Sequence, residues 1–293
     1  MPDYHSIDAI AQEAEACGKR ISEVIMAEQA ANMEITVDEV YRLMKHNLDV
    51  MRKSAEKGAA ENIKSHSGLT GGSGFLMTRY AKEGAPVSGS FCAAAIARAI
   101  SVAECNAAMG KIVAAPTAGS CGILPAAVLT MLEQNKASEE QAVMALITAG
   151  AFGLVIANEA SIAGAEGGCQ AECGSAAAIT AAAIVEMSGG GPQQCAHACA
   201  IALKNQLGLV CDPVAGLVEV PCVKRNAGGV MCAICAADMA LAGIKSVIPV
   251  DEVIEAMRSV GDSMPEALRE TACGGLAVSP TGRALAQKIF GAP

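Results

Sequence analysis

The chain has 293 residues, of which 52% are hydrophobic and 2% aromatic, so it can bury a large core of aliphatic and sulfur-containing side chains. Its net charge is −9 and no segment concentrates Lys and Arg, which argues against a nucleic-acid-binding protein because phosphate binding needs clustered positive charge. The N-terminus has no basic start followed by an apolar stretch, which argues against a signal peptide and predicts a cytoplasmic protein. We expect one domain over residues 1–293.

Helical periodicity runs through nearly the whole chain, and the alternating patterns of β-strands are almost missing. Helices are predicted over 6–17, 20–34, 91–109, 121–134, 170–188, 191–207, 227–243 and 250–260. Two capping boxes, at Thr36–Glu39 and Ser138–Gln141, predict the starts of two more helices. Only Leu209–Val223 could hold short extended pieces. The sequence therefore predicts an all-α fold.

The longest uncharged apolar run, Ala142–Ala157, follows the second capping box. It is shorter than the roughly 20 residues that a membrane-spanning helix needs. It also contains Thr148, Gly150 and Gly153. We interpret it as a buried core helix and expect no membrane association.

Four segments between the predicted helices have the composition of functional loops. Three are rich in Gly, Ser, Thr or Pro although apolar stretches flank them, and the fourth combines Cys, Pro and charge. They are Ser65–Gly74, Ala114–Pro125, Gly164–Gly174 and Val210–Ala227. Loops of this kind in a helical body are where a binding site would be expected.

The thirteen cysteines divide by their surroundings. Those on apolar helical patterns are interpreted as small packing residues: Cys17, Cys92, Cys105, Cys195, Cys199 and the pair Cys232 and Cys235. Cys121 and Cys173 lie near helix starts or in glycine-containing loops, and either role is open for them. Cys169, Cys211 and Cys222 each lie beside Gly or Pro in a loop, which suits metal ligands, although spacing alone leaves packing as the alternative.

Five stretches together carry a close resemblance to a known family. They are SHSGLTGGSG from Ser65, KIVAAPTAGSCGILPA from Lys111, EGGCQAECGSAAA from Glu166, CDPVAGLVEVPCVKRNA from Cys211 and RETACGGLA from Arg269. In this order they resemble the catalytic region of the bacterial iron–sulfur L-serine dehydratases. The likeness covers nearly the whole chain, and the length is similar to that of the separate alpha subunit of the two-chain type.

The resemblance implies a compact helical domain in which glycine-rich loops form a [4Fe–4S] cluster site. It places the cluster ligands on Cys169, Cys211 and Cys222. Three ligands on four irons leave one iron free to act as a Lewis acid on the serine hydroxyl. A base removes the α-proton, and the resulting aminoacrylate tautomerises and hydrolyses to pyruvate and ammonia. No pyridoxal phosphate is expected.

The loop before the predicted helix at Cys121 suits a carboxylate. Thr117, Gly119 and Ser120 would offer N–H groups and a positive helix end to L-serine, and an ordinary helix cap is the alternative. His66 follows Ser65 in a polar loop. It is a candidate general base beside a candidate substrate-binding serine, and a surface histidine is the alternative.

Three polar residues follow Cys222 directly. Lys224 and Asn226 are candidate catalytic residues, and Arg225 is a candidate for substrate binding or for orienting the surroundings of the cluster. Glu270 and its neighbours are weaker candidates because charged helix ends are common.

The single-chain relatives carry an additional domain with a Ser-His motif that nothing in this chain resembles. We therefore expect a separate beta subunit, with a partner surface near Ser65–Gly74. Two other functions are alternatives. One is a related L-cysteine desulfidase, and the other is a non-catalytic helical protein whose cysteines pack or bind zinc.

Overall fold

A computed structural model describes residues 5–291, and this part of the chain contains thirteen α-helices and no strand, which confirms the all-α prediction. The helices are α1 Ile7–Ala16, α2 Ile21–Met33, α3 Val37–Gly58, α4 Ser73–Glu83, α5 Gly89–Ala107, α6 Ile123–Glu133, α7 Glu139–Glu159, α8 Gly164–Gly167, α9 Ser175–Met187, α10 Pro192–Lys204, α11 Cys222–Leu241, α12 Val250–Ser263 and α13 Pro280–Phe290. One turn of π-helix, Gln170–Gly174, joins α8 to α9.

Helix α9 forms the centre of the core. Every residue from Ser175 to Met187 is buried, and α6, α7, α10 and α11 pack around it. Six of its thirteen residues are alanine, so neighbouring helices can approach closely, and the core consists mainly of small and aliphatic side chains together with the buried Phe152. Burial of this apolar surface supplies the main driving force for folding.

Helix α7 contains the long apolar run. It is the one helix among residues 5–291 whose length and composition would allow it to cross a membrane, yet 72% of its apolar stretch is buried inside the protein. It packs against α9, α2 and α3. The core-helix interpretation of Ala142–Ala157 is confirmed.

The two predicted capping boxes have different outcomes. Ser138 accepts a hydrogen bond from the Gln141 N–H, and the Gln141 side chain accepts one from the Ser138 N–H, so this box is complete. Thr36 also accepts from the Glu39 N–H. The Glu39 carboxylate, however, accepts from Arg42 on the next turn instead of closing the box.

Three helices, α4, α8 and α13, fall outside the predicted set. The first N–H groups of α4, at Ser73 and Gly74, donate to the carboxylate of Glu104 on α5 at 3.0 and 2.9 Å. Because this cap comes from a residue distant in sequence, no local sequence pattern predicts the start of α4. Helix α13 does carry a local signal, with Ser279 as N-cap and Pro280 at the first position.

The predicted start of α11 at residue 227 is wrong, because the helix begins at Cys222. Lys224, Arg225 and Asn226 therefore lie in its first turns and not in a loop. No strand forms in Leu209–Val223. That segment contains an isolated bridge from Cys211 to Arg269 and a 3₁₀ turn at Val214–Gly216.

The packing interpretation of the helical cysteines is partly wrong. Cys105, Cys195 and Cys199 are buried as expected, but Cys17 and Cys235 are exposed. Cys17 caps the end of α1, and Cys235 lies on an outward face of α11 in an otherwise apolar stretch. An apolar neighbourhood in sequence does not specify which side of a helix meets the core.

Candidate active site and the cysteine cluster

Three buried cysteines from three separate segments lie near one another. Cys169 follows Gly168, whose φ of +72° is a conformation that favours glycine, and it leads into the π-helical turn. The Cys211 N–H donates to the Leu268 carbonyl at 2.8 Å. Cys222 is the first residue of α11. The three side chains are 2%, 3% and 8% exposed, respectively, so none faces bulk water freely.

The three thiols are close enough to influence one another electrostatically. Burial, followed by the neighbouring Cys169, raises the pKa of Cys222 to about 12. Burial likewise raises the pKa of Cys211, and Cys169 is again the next contributor. The pKa of Cys169 is lowered, first by a hydrogen bond from Cys173 and then by the positive charge of Arg225. Cys169 is therefore the thiol most ready to become a thiolate.

Arg225 ties two of the cysteine segments together. Its guanidinium donates to the Val210 carbonyl and to the Asp212 carboxylate, each at 2.8 Å, while its charge acts on Cys169. Asp212 is buried and also accepts from the Leu276 N–H at 2.8 Å. Arg225 is thus held beside the cysteines, which suits its predicted task of orienting their surroundings. Its predicted role in substrate binding remains a prediction.

The three cysteines offer the soft sulfur donors that iron–sulfur clusters use. Among residues 5–291, no group of three or more His, Cys, Asp or Glu converges tightly enough to hold one metal ion. A multinuclear cluster has a different requirement, because each thiolate binds a different iron and the ligands stand further apart. Three buried thiols supply donors of the required type, and the positive charge of Arg225 favours the ionised forms of Cys169 and Cys222.

Glu172 is the site residue that sequence reasoning missed. It lies in the π-helical turn, and its Oε1 accepts a hydrogen bond from the Thr117 hydroxyl at 3.0 Å. Its Oε2 is 3.8 Å from Cys211 Sγ. Burial raises the pKa of this carboxyl. Glu172 therefore joins the predicted substrate loop to a predicted cluster ligand, and its position in the EGGCQAECG stretch was the available signal.

Two glycines make room for the Glu172 carboxylate. A Cβ at Gly119 would lie 2.9 Å from Oε1, and one at Gly164 would lie 2.7 Å from Oε2 and 3.1 Å from Cys211 Sγ. Both distances to the carboxylate are shorter than real Cβ contacts allow. Neither Gly119 nor Gly164 has a positive φ. The close approach of the Glu172 carboxylate therefore explains why these two positions are glycine.

The predicted substrate loop, residues 117–120, is held in place by Asn226. The buried Asn226 side chain donates to the Gly119 carbonyl at 2.8 Å and accepts from the Gly122 N–H at 2.8 Å. Thr117 and Ser120 lie with their hydroxyl oxygens 3.0 Å apart at the start of this loop. Because both ends of the amide are occupied, Asn226 positions the loop, and its predicted catalytic role is not visible in these contacts.

Three further predicted site residues are Lys224, His66 and Ser65. Lys224 is exposed on the first turn of α11. His66 is also exposed, whereas the Ser65 next to it is buried and its hydroxyl accepts from the Thr70 N–H at 3.3 Å. The roles of Lys224, His66 and Ser65 remain predictions.

A large groove adjoins the Ser65–Gly74 loop. Its volume is about 1160 Å³, and its lining includes His66, Met109, Ala118, Val218 and Phe290. The Glu219 carboxylate, which also lines the groove, holds this loop in place. It accepts hydrogen bonds from the Ser67 hydroxyl at 2.7 Å and from the Thr70 hydroxyl at 2.9 Å. We call this feature the His66 groove.

Comparison with known proteins agrees with the geometry. Residues 16–277 match the family described as Serine dehydratase alpha chain. The chain is 55% identical over 271 residues to the "Probable L-serine dehydratase, alpha chain" of Bacillus subtilis, covering 92% of this chain and 90% of that one. It is 47% identical over 266 residues to the "L-serine dehydratase, alpha chain" of Peptoniphilus asaccharolyticus, covering 91% of each chain.

A longer relative aligns only in part. The "L-serine dehydratase 1" of Escherichia coli is 45% identical over 183 residues, which is 61% of this chain but 40% of that protein. The two alpha chains, in contrast, align over 90% and 91% of their own length. Because the family match spans residues 16–277, this chain belongs to the serine dehydratase alpha chain family.

Proposed function

We propose that this chain is the cluster-bearing subunit of an L-serine dehydratase that converts L-serine to pyruvate and ammonia. The observation that carries the proposal is the convergence of Cys169, Cys211 and Cys222 beside the Thr117–Glu172 contact. The names of the alpha-chain relatives support the same reaction. A [4Fe–4S] cluster held by the three cysteines would supply a Lewis-acidic iron for the serine hydroxyl.

The residues of the chain then bind and orient the substrate. The loop at Thr117, Gly119 and Ser120 receives the serine carboxylate through its backbone N–H groups, and Asn226 holds the loop in place. Arg225 holds a positive charge at the cysteines, where it favours the thiolate forms of Cys169 and Cys222. The fixed loop lowers the entropic cost of orienting serine for elimination.

Glu172 is assigned to the ammonium group of serine. Its carboxylate lies between the substrate loop and Cys211, and Thr117 fixes its orientation. Replacing Glu172 with Gln should raise the KM for L-serine by about 10-fold or more, since a charge-assisted hydrogen bond contributes about 1.5–3 kcal/mol. Iron content should be unchanged. Kinetics and iron analysis of the same preparations check this, with Glu15→Gln, an exposed glutamate on α1, as control, and an unchanged KM would refute the assignment.

An anaerobic preparation tests the function as a whole. The chain should be purified with its beta subunit and assayed for iron, sulfide and pyruvate formation from L-serine. We expect a brown protein with about four irons whose activity is lost in air, because an iron without a thiolate is open to oxidants. Faster turnover of L-cysteine would favour the desulfidase, and a colourless zinc-bound protein would favour a structural role.

The proposal includes a location and a partner. Thirteen free cysteines suit the reducing cytoplasm, where disulfides are disfavoured, and cell fractionation tests this. The beta subunit is proposed because the matched relatives are named alpha chains and the longer relative contains sequence beyond the aligned part.

A further inference from the structure

A second polar cavity lies next to the segments that carry two of the site cysteines, but none of the three cysteines lines it. It has a volume of about 310 Å³ and lies between α8, α12 and the chain at Arg269. Four charged side chains line it, and Ser161 and Met257 lie beside them. The charged residues are Glu166, Arg258, Asp262 and Arg269. We call it the α12 cavity. Its size is at the lower end of the range for small-molecule sites.

Both guanidinium groups of the α12 cavity lack a carboxylate partner within the described residues. Arg258 donates to the Glu159 carbonyl at 3.0 Å, and Arg269 donates to the Glu166 carbonyl at 3.4 Å. The Nε of Arg269 is buried without any hydrogen-bond partner. A buried donor of a charged group is costly to leave unpaired, so the cavity calls for an acceptor.

The same cavity also carries negative charge. One oxygen of Glu166 accepts from the Ser161 hydroxyl at 2.6 Å, and Asp262 is exposed at the rim. Two cationic and two anionic side chains therefore line one small space. A simple anion would satisfy the guanidiniums but would be repelled by the carboxylates. A ligand with both charges would satisfy both sets.

We propose that the α12 cavity binds a small zwitterionic α-amino acid, with its carboxylate on Arg258 and Arg269 and its ammonium on Glu166 and Asp262. The ligand class follows from the charges that line the cavity and does not depend on the dehydratase reaction. The position is informative as well. Glu166 lies three residues before Cys169, and Arg269 forms the backbone bridge with Cys211. An occupant would therefore contact both segments that support the cysteine site.

The experiment uses the full-length chain with ¹³C-methyl-labelled methionine. Met257 lines the cavity, whereas Met131 is buried in α6 and serves as an internal reference. L-Alanine is the probe, because it has both charged groups of serine but no hydroxyl to eliminate. Titration should shift the Met257 methyl signal and leave Met131 unmoved. Pyruvate, which lacks the ammonium, should bind at least about 10-fold more weakly, since it loses charge-assisted hydrogen bonds.

Variants distinguish this cavity from the substrate loop. Arg258→Gln should weaken L-alanine binding by about 10-fold or more, while Arg42→Gln, an exposed arginine on α3, should not change it. Thr117→Val, which alters the substrate loop, should leave the Met257 response intact. No Met257 shift with L-alanine, or a shift that persists in Arg258→Gln and disappears in Thr117→Val, would overturn the proposal. Dehydratase activity of the complex is measured separately, so failure here leaves the proposed function standing.

Discussion

Replacing Cys169, Cys211 or Cys222 singly with serine should lower L-serine dehydratase activity at least about 100-fold, because each thiolate is a proposed cluster ligand and serine is a poor ligand for iron. The iron and sulfide contents of anaerobic preparations should fall together with activity. The loss should be similar for the three variants, since they come from three segments that meet at one place. Pyruvate formation and iron analysis of the same samples measure both effects.

The matched control is Cys232→Ser. Cys232 is half-buried, and its thiol donates to the Ala202 carbonyl at 3.5 Å, a contact that a serine hydroxyl can reproduce. Activity and iron should stay close to those of the unmodified chain. If Cys211→Ser retained both, or if Cys232→Ser lost both, the assignment of the ligand set would be wrong.

The chain alone should turn over L-serine at least about 100-fold more slowly than the complex with its beta subunit, because α-proton removal needs a positioned base and a pocket closed to bulk water. The His66 groove is where we expect the partner. Met109 and Phe290 line it and are 85% and 68% exposed, which is unusual for side chains of this size. Reconstituting the cluster in the isolated chain and assaying with and without the beta subunit measures the difference.

A charged substitution in the His66 groove tests whether the beta subunit binds there. Met109→Asp should weaken binding of the beta subunit at least about 10-fold, because burying a carboxylate in an apolar contact is costly. Val247→Asp is the control, since Val247 is 90% exposed and lies outside the groove. Cluster content should be unchanged in both variants. Full activity of the chain without a partner would contradict this expectation and would return the search for the base to His66.

The sequence was sufficient for the helical class and for the interpretation of the apolar run at Ala142–Ala157. Both follow from periodicity and composition, which act over short distances along the chain. Helix α4 could not be predicted in this way. Its first turn is stabilised by Glu104, a carboxylate from another helix, and that contact exists only after α5 has packed beside it.

The candidate site shows the same division. The stretches around Cys169, Cys211 and Cys222 indicated the thiols as candidates, because Gly and Pro beside a cysteine are visible in the sequence. The solvent exposure of the cysteines was harder to predict. Cys17 and Cys235 lie in helical patterns interpreted as packing, yet both are exposed. Helix faces are assigned by the neighbours that pack against them, and local pattern in an alanine-rich chain distinguishes the faces poorly.

Sequence by itself determined the all-α class, because helical periodicity depends on residue type and local spacing. It also indicated the loops and the three cysteines as candidates, and the family resemblance implied that those cysteines are the ligands. Only the tertiary structure decided that Glu172 lies between Thr117 and Cys211, that Asn226 holds the substrate loop and that Arg225 joins the cysteine segments. The physical reason is that these contacts join residues far apart in the chain. A carboxylate, an amide or a guanidinium acquires its role from the partner that folding places beside it.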